Sequence, residues 1–469
     1  MTTTCDLLVV GAGLAGWTAA LRAAEQGIDV LLVEKSAGEY GNGNTLMASG
    51  SYRAAGVSPQ SHPSELSARA MAEGVANPDL VRTWAETCPR SVDWLRRHNI
   101  EIFMTAGGWP FLEPDSPISF SPLYRKEVGS NVLSKLKAAF LQQGGKYQPA
   151  FEALRLLVRE PFSVTGAVGR SQQSWVEVHS KATILTTGGF SANKEMLVRY
   201  VGRHADECKL RGSSNDTGDG LRMALEIGAK AVNLSYFYGH LLSLKALSDD
   251  RFWPYPRVDS LLSEGVLVNR NGLRFIDEGR GDVAVANDLA RTDDVKGACL
   301  LFDQEAWENA KTPTEPISPI LPPANPWLMD NDGNLYQRET LEELADVLAL
   351  DYVNTKATIE SFNTASENGR FAGGSVQRTG KTRPLRAPFY GLRVVPGITF
   401  TMGGVLIDGQ ARILNLQEQP IQGLYGAGDA IGGLMGGYGG GYMGGLSQAV
   451  VTGLIAGENS RAFINQRVD

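Results

Sequence analysis

Residues 6–35 read DLLVVGAGLAGWTAALRAAEQGIDVLLVEK, and few folds can accommodate that order. Leu7 to Val10 form an apolar run too short for a helix, as expected of a strand buried on both faces. Gly11, Gly13 and Gly16 follow in the spacing G-x-G-x-x-G. The first glycine permits a tight turn, and the second lets backbone N–H groups approach a pyrophosphate. The third lets a helix pack closely on the strand, with its N-terminus facing the negative charge. Leu14 and Ala15 sit inside this loop and are expected to touch the same ligand. Glu34, next to Lys35, ends the second apolar run. Its carboxylate is placed to accept hydrogen bonds from a ribose diol and would repel a 2′-phosphate. Strand, helix and acid in this order predict a dinucleotide site, without choosing between NAD and FAD.

Later segments narrow the choice. GNGNTLMASGS (residues 41–51) carries Gly43, Asn44, Thr45, Ser49 and Gly50. ATILTTGGF (182–190) predicts a buried strand running into Thr187, Gly188 and Gly189. NDTGDG (215–220) holds Asn215, Thr217, Gly218 and Asp219 and opens a helix. IQGLYGAGDAIGG (421–433) predicts a late strand ending at Gly428 and Asp429. On these five motifs, in this order, the chain resembles the flavoprotein superfamily of fumarate reductases and succinate dehydrogenase flavoprotein subunits. It also resembles the branch of 3-ketosteroid dehydrogenases, tricarballylate dehydrogenase and related alicyclic ketone desaturases. The resemblance covers residues 6 to about 458 and implies FAD. It places Asp429 on the ribitol, lines the flavin with Asn44, Thr45, Ser49 and Gly50, and puts Thr217–Gly220 at its approach. Members with covalent FAD carry a histidine beside a threonine here; this chain has Asn44 before Thr45, so the expectation is FAD held non-covalently.

The implied fold is α/β: a Rossmann-like, glutathione-reductase-type FAD domain from residues 1–236 and 385–469, with an α+β capping domain inserted over 237–384. Within the insertion, VLVNRNGLRF predicts a hairpin at Asn271-Gly272, and TLEELADVLAL opens with a Thr340/Glu343 capping box. The net charge of −7 argues against nucleic acid. The four cysteines show no C-x-x-C spacing, which removes the usual iron–sulfur and zinc patterns, and no metal is expected. Without a leader pattern or an apolar stretch of about eighteen residues, a cytoplasmic protein with no membrane span is expected.

The chemistry implied by the resemblance joins hydride transfer at a flavin to movement of a proton next to an electron-withdrawing group. Fumarate-reducing relatives clamp two carboxylates with a histidine in the segment matching GITFTMGG (397–404) and an arginine in the C-terminal glycine-rich segment. Here those segments offer Thr399, Phe400 and Thr401, and then Tyr438 and Tyr442. A phenol cannot replace the charge-assisted bonds of arginine without a large loss of binding. The expected substrate is therefore a cyclic ketone or keto acid, desaturated next to its carbonyl, with the electron acceptor unassigned.

Ketosteroid dehydrogenases place a tyrosine in that glycine-rich loop to hold the carbonyl. Tyr438 is the first match, with Gly441 or Gly444 as amide donor, and Tyr442 is the second candidate. Leu446 follows in the same segment, on the cofactor side. Tyr255, Tyr236, Tyr238 and Tyr124 are candidates for the base. His240 and Arg280 lie near positions where fumarate reductases bind substrate and donate a proton. That makes an enoate reductase of the fumarate or urocanate kind, with Arg280 as acid, or a tricarballylate-type carboxylate dehydrogenase the other readings.

Overall fold

The computed structural model describes residues 2–53, 71, 74–104, 110–112, 122–160, 162–172, 174–252, 258–311, 323–366, 369, 371, 376–439 and 441–466, without the side chains of 122–127. The fold is mixed α/β. Its first sheet runs, in spatial order, through strands Arg412–Leu414, Pro420–Gly426, Ser163–Ser171, Ser174–Leu185, Thr2–Val10, Val30–Val33 and Lys146–Gln148. Thr2–Val10 pairs in parallel with both neighbours, Leu7 opposite Val30 and Ala182, Val10 opposite Val33 and Leu185. Pro420–Gly426 adds to Ser174–Leu185 in parallel, with Gly426 opposite Leu185. This register brings the carboxyl ends of four strands to one edge. The segments beginning at Gly11, Glu34, Thr186 and Ala427 therefore emerge side by side, where open parallel sheets bind ligands.

Helix Leu14–Ala24 is buried almost throughout and packs against the long helix Gly445–Gln466. Gly453 and Gly457, one turn apart, permit that contact. A Cβ on Gly453 would lie 2.8 Å from the Ala15 carbonyl oxygen, and one on Gly457 would lie 2.6 Å from that of Ala19. Neither partner is a movable side chain, so the helices would have to separate. Gly457→Val is expected to destabilise the protein by about 2–3 kcal/mol, seen as a lower thermal midpoint, through overpacking.

The second sheet has six strands built around Phe389–Thr401, which pairs with Phe237–Ser243, Cys299–Asp303, Leu335–Arg338 and Lys209–Leu210; Val266–Val268 pairs with Cys299–Asp303. It recruits strands from outside 237–384, so the segment expected as a capping insertion shares its sheet with both flanking segments. A satellite core of Val266, Val268, Cys299, Leu301, Leu344, Leu348, Ile359 and Phe362 sits on it, apart from the main core. The capping box forms: Thr340 Oγ1 accepts from the Glu343 N–H at 3.2 Å, and Glu343 Oε2 accepts from the Thr340 N–H at 3.4 Å. The expected hairpin at Asn271-Gly272 is reduced to one bridge, Val268 to Arg274, beyond strand Val266–Val268. Among the described residues, no helix is long and apolar enough to cross a membrane.

Candidate active site

The carboxyl edge of the first sheet faces the second sheet across a cavity of about 310 Å³. Gly11 turns the chain at φ +106°, and a Cβ there would fall 2.6 Å from the Thr186 carbonyl oxygen. A Cβ on Gly16 would overlap the Gly11 carbonyl, so this glycine serves helix–strand packing and is not on the cavity wall. Gly13 differs. Its nearest neighbour would be Thr45 Oγ1 at 3.7 Å, so the protein's own packing does not require it to be bare. It lines the cavity, and the space it leaves is open to a ligand. Glu34 accepts from the N–H groups of Ala12 at 2.8 Å and Ser36 at 2.9 Å. A carboxylate has about four acceptor directions, so capacity remains for a diol.

Further along the wall, Asp429 follows Gly428, whose φ of +68° places a hypothetical Cβ 2.7 Å from that of Ala15. Asp429 Oδ1 is sealed from solvent and has no protein partner, and the same holds for the Thr187 hydroxyl. Burial, together with the nearby Asp216 carboxylate, pushes the Asp429 carboxyl well above its ordinary value. Asp216 is raised too, through burial, although the Ser191 hydroxyl at 2.6 Å and N–H at 3.2 Å both donate to it. An acceptor left without a donor on a cavity wall fits a ligand rich in hydroxyls, as the ribityl chain of FAD is. The first turn of helix Gly445–Gln466 contributes Gly445, Leu446 and Ala449, so the positive end of its dipole faces the same space.

Asn44 is built into this wall. Its Oδ1 accepts from the Ser213 N–H at 2.7 Å, and its Nδ2 donates to Asp216 at 3.4 Å. Thr45 Oγ1 accepts from the Leu14 N–H at 3.0 Å. Ala15, Lys35, Gly43, Ser49, Gly50, Gly188 and Asn215 also line the cavity. Lys35 Nζ is tied to Asp219 and Thr217, both at 2.7 Å. Thr217, Gly218, Asp219, Gly189 and Gly444 stand behind the wall: Gly218 begins helix Asp219–Glu226 at φ +80°, and Gly189 packs on Thr401. An amide is no nucleophile for the flavin, so acid precipitation of the yellow protein is expected to leave all the FAD in the supernatant.

The far wall belongs to the second sheet. Tyr238 and His240, on Phe237–Ser243, face Thr399 and Phe400 of the neighbouring strand, with a register shift after Tyr238. His240, 2% exposed, places Nε2 2.9 Å from the Tyr238 hydroxyl. Its Nδ1 lies 2.7 Å from Asp282 and 2.9 Å from Asp259. These three side chains bring ligand atoms within 4.8 Å of one another, as a metal site would, but both Nδ1–O separations have hydrogen-bond length. Tyr442 stacks on Tyr238, centroids 3.9 Å apart, with the Arg53 guanidinium 5.1 Å from the Tyr442 ring. Arg211 donates to the Thr399 hydroxyl at 2.7 Å. Arg53 and Arg211 both line the cavity.

Three expectations from the sequence need correction. Tyr438 is 70% exposed and off the cavity wall; four residues later, Tyr442 reaches it. Arg280 does not face the cavity either. It is bound to Asp288 and the Tyr438 carbonyl, its guanidinium 3.1 Å from the Tyr438 ring centroid. Gly281, at φ +95°, turns the chain so that Asp282 faces the cavity instead. Nor are the cationic groups missing, because Arg53 and Arg211 reach the cavity from outside residues 397–404 and 432–447. Each lies close in sequence to a cofactor motif, Arg53 after Gly50 and Arg211 before Asn215, which was the available signal. Tyr236 packs below Gly436 and is not on the wall. Tyr255 and the Tyr124 side chain lie outside the described residues.

Comparison with known proteins agrees with this geometry. The chain is 31% identical over 481 residues to a protein named "Probable fumarate reductase Ifc3" of Shewanella frigidimarina, covering 97% of this chain and 75% of the relative. It is 28% identical to the urocanate reductase of Eggerthella lenta, covering 98% and 75% respectively. In fold it is similar to the 3-ketosteroid-Δ4-(5α)-dehydrogenase of Rhodococcus jostii, with a TM-score of 0.73 at 20% identity over 98% of this chain and 97% of that one. Residues 6–445 match the family described as FAD binding domain. The chain therefore belongs to the FAD binding domain family, within the fumarate reductase and succinate dehydrogenase flavoprotein superfamily, and is an FAD-dependent oxidoreductase.

Proposed function

We propose that this enzyme reduces a C=C bond conjugated to a carboxylate, in a planar enoate. The observation that carries the reading is the pair of guanidinium groups, Arg53 and Arg211, on the wall shared with Tyr238, His240 and Tyr442. A guanidinium holds a carboxylate by charge-assisted, often bidentate bonds. The aromatic faces of Tyr238, Phe400 and Tyr442 suit a flat conjugated group beside it. The names of the two relatives, a fumarate and a urocanate reductase, support the same class.

When bound, FAD supplies the hydride chemistry. Gly11, Gly13, Glu34 and Asp429 would hold it, with the helix N-terminus at Gly445 beside it. Arg53 and Arg211 orient the substrate carboxylate and polarise the alkene toward it, so that the distal carbon becomes the electrophile. The stacked tyrosines exclude water from the side they cover.

One observation favours the ketone reading: Tyr442 lines the cavity and its oxygen accepts from the Gly445 N–H at 3.3 Å, an arrangement in which the phenol O–H is the group that donates to a substrate carbonyl. Arg211→Met separates the two readings. Enoate reduction is expected to lose about 10²-fold in kcat/KM, from loss of a bond to a charged group. If neutral cyclic ketones turn over and are unaffected by the substitution, while enoates are inert with the unsubstituted enzyme, the ketone reading replaces the enoate one.

A further inference from the structure

We infer that Tyr238 carries the substrate proton, and that His240, braced by Asp259 and Asp282, restores it. The inference rests on the cavity being a CH–CH oxidoreductase site, but it holds in either direction of the reaction.

The geometry forms a line. Tyr238 lines the cavity, with its hydroxyl 2.9 Å from His240 Nε2. On the other side of the ring, Nδ1 meets two carboxylate oxygens, at 2.7 and 2.9 Å. Carboxylates accept, so Nδ1 carries a hydrogen and Nε2 is left to exchange one with the phenol. The side chain of His240 is 3% exposed and both Asp259 carboxylate oxygens are sealed from solvent, whereas Asp282, 32% exposed, opens on the cavity, so proton exchange with solvent passes through Asp282. Stacking on Tyr442 fixes the orientation of the Tyr238 ring. Arg280, the acid expected for an enoate reductase, is held off the cavity wall by Asp288 and the Tyr438 carbonyl.

In the reducing direction, with the imidazole protonated on both nitrogens, Nε2–H donates to the Tyr238 oxygen. The Tyr238 O–H bond breaks and its proton forms the new C–H bond at the carbon next to the carboxylate. The other alkene carbon gains a hydride, two electrons and a proton, from a reduced flavin as the reductant. The phenolate then takes the Nε2 proton, leaving a neutral imidazole that solvent reprotonates. Oxidation of a saturated substrate runs the same steps in reverse. Tyr238 is thus a catalytic residue, and His240, Asp259 and Asp282 are positioning residues acting through it.

The test uses FAD-loaded protein with ¹³Cζ-labelled tyrosine and the variants Tyr238→Phe, His240→Gln and Asp282→Asn. Tyr238→Phe removes, and so assigns, one resonance. That resonance is expected to move in His240→Gln, which removes the imidazole nitrogen 2.9 Å from the hydroxyl, and to move less in Asp282→Asn. A resonance at the same position in wild type and His240→Gln overturns the relay. For any enoate or ketone the wild type converts, Tyr238→Phe is expected to lower kcat by about 10²–10⁴-fold, with FAD content unchanged and KM little affected. His240→Gln and Asp282→Asn are expected to lose less and to shift the pH profile. A loss below tenfold in Tyr238→Phe overturns the assignment and leaves the enoate reading standing. If the wild type converts neither substrate class, the functional reading fails and the resonance alone decides the relay.

Discussion

Asp429→Asn is expected to weaken FAD binding by about a hundredfold, the loss of charge-assisted bonds worth about 3 kcal/mol in sum, while raising the melting temperature of the FAD-free protein at neutral pH. The two effects have one cause. Oδ1 of Asp429 is buried without a partner, and burial and Asp216 push the carboxyl well above its ordinary 3.8. A carboxyl raised by folding leaves stability intact below its unfolded value. That stability is lost as pH climbs through the raised folded value. FAD-free wild type should therefore lose stability between acid and neutral pH relative to the variant, and the gap should close at acid pH. Bound FAD reverses the balance, because hydroxyl donors satisfy the carboxylate. Calorimetry on FAD-free protein at several pH values, with a flavin fluorescence titration, measures both. Unchanged affinity in the variant would remove Asp429 from the cofactor site.

Glu278→Gln is expected to destabilise the protein by about 3–5 kcal/mol, the range for breaking one side of a buried ion pair. The Glu278 side chain is fully buried. It accepts from the Leu267 N–H at 2.8 Å, Arg274 at 2.7 and 3.0 Å, and Arg378 at 3.0 Å. Arg378 also donates to the Ser263 and Gly265 carbonyls, at 2.6 and 2.7 Å. Burial already lowers the Arg378 pKa, and Glu278 opposes that shift. Without the carboxylate, two guanidinium groups face each other with little compensation. The network ties residues 263–268, 274–278 and 378 together just before Asp282, so FAD-loaded protein should also show a perturbed His240 environment. A thermal midpoint within about 1 °C of wild type would mean that the network contributes little net stability.

The parts of the site readable from sequence are those fixed by local geometry. Gly11, Gly13 and Glu34 are placed by a strand, a turn and a helix within thirty-five residues, and the parallel register carries Thr186 and Asp429 to the same edge. The Thr340/Glu343 box was readable for the same reason. The glycine-rich loop was not. Gly436, Gly437, Gly441 and Gly444 all take positive φ, and without Cβ atoms no periodicity fixes the path, so the choice between Tyr438 and Tyr442 is made by tertiary packing. At Arg280 the single turn at Gly281 exchanges which neighbour faces the cavity. Arg53 and Arg211 lie 158 residues apart and converge only through the fold, which local reading cannot supply. The substrate end of the cavity depends on these non-local encounters, and that is why a phenol-only wall was expected where guanidinium groups also stand.

Anaerobic rapid mixing tests the central claim most directly. Chemically reduced, FAD-loaded enzyme is mixed with planar enoates, and oxidised enzyme is mixed with saturated cyclic ketones, while flavin absorbance is followed. The predicted result is return of the yellow colour with at least one enoate, at a rate that saturates with its concentration and falls about 10²-fold in Arg211→Met. Bleaching of the oxidised enzyme by ketones, with reduced enzyme inert toward every enoate, would contradict it.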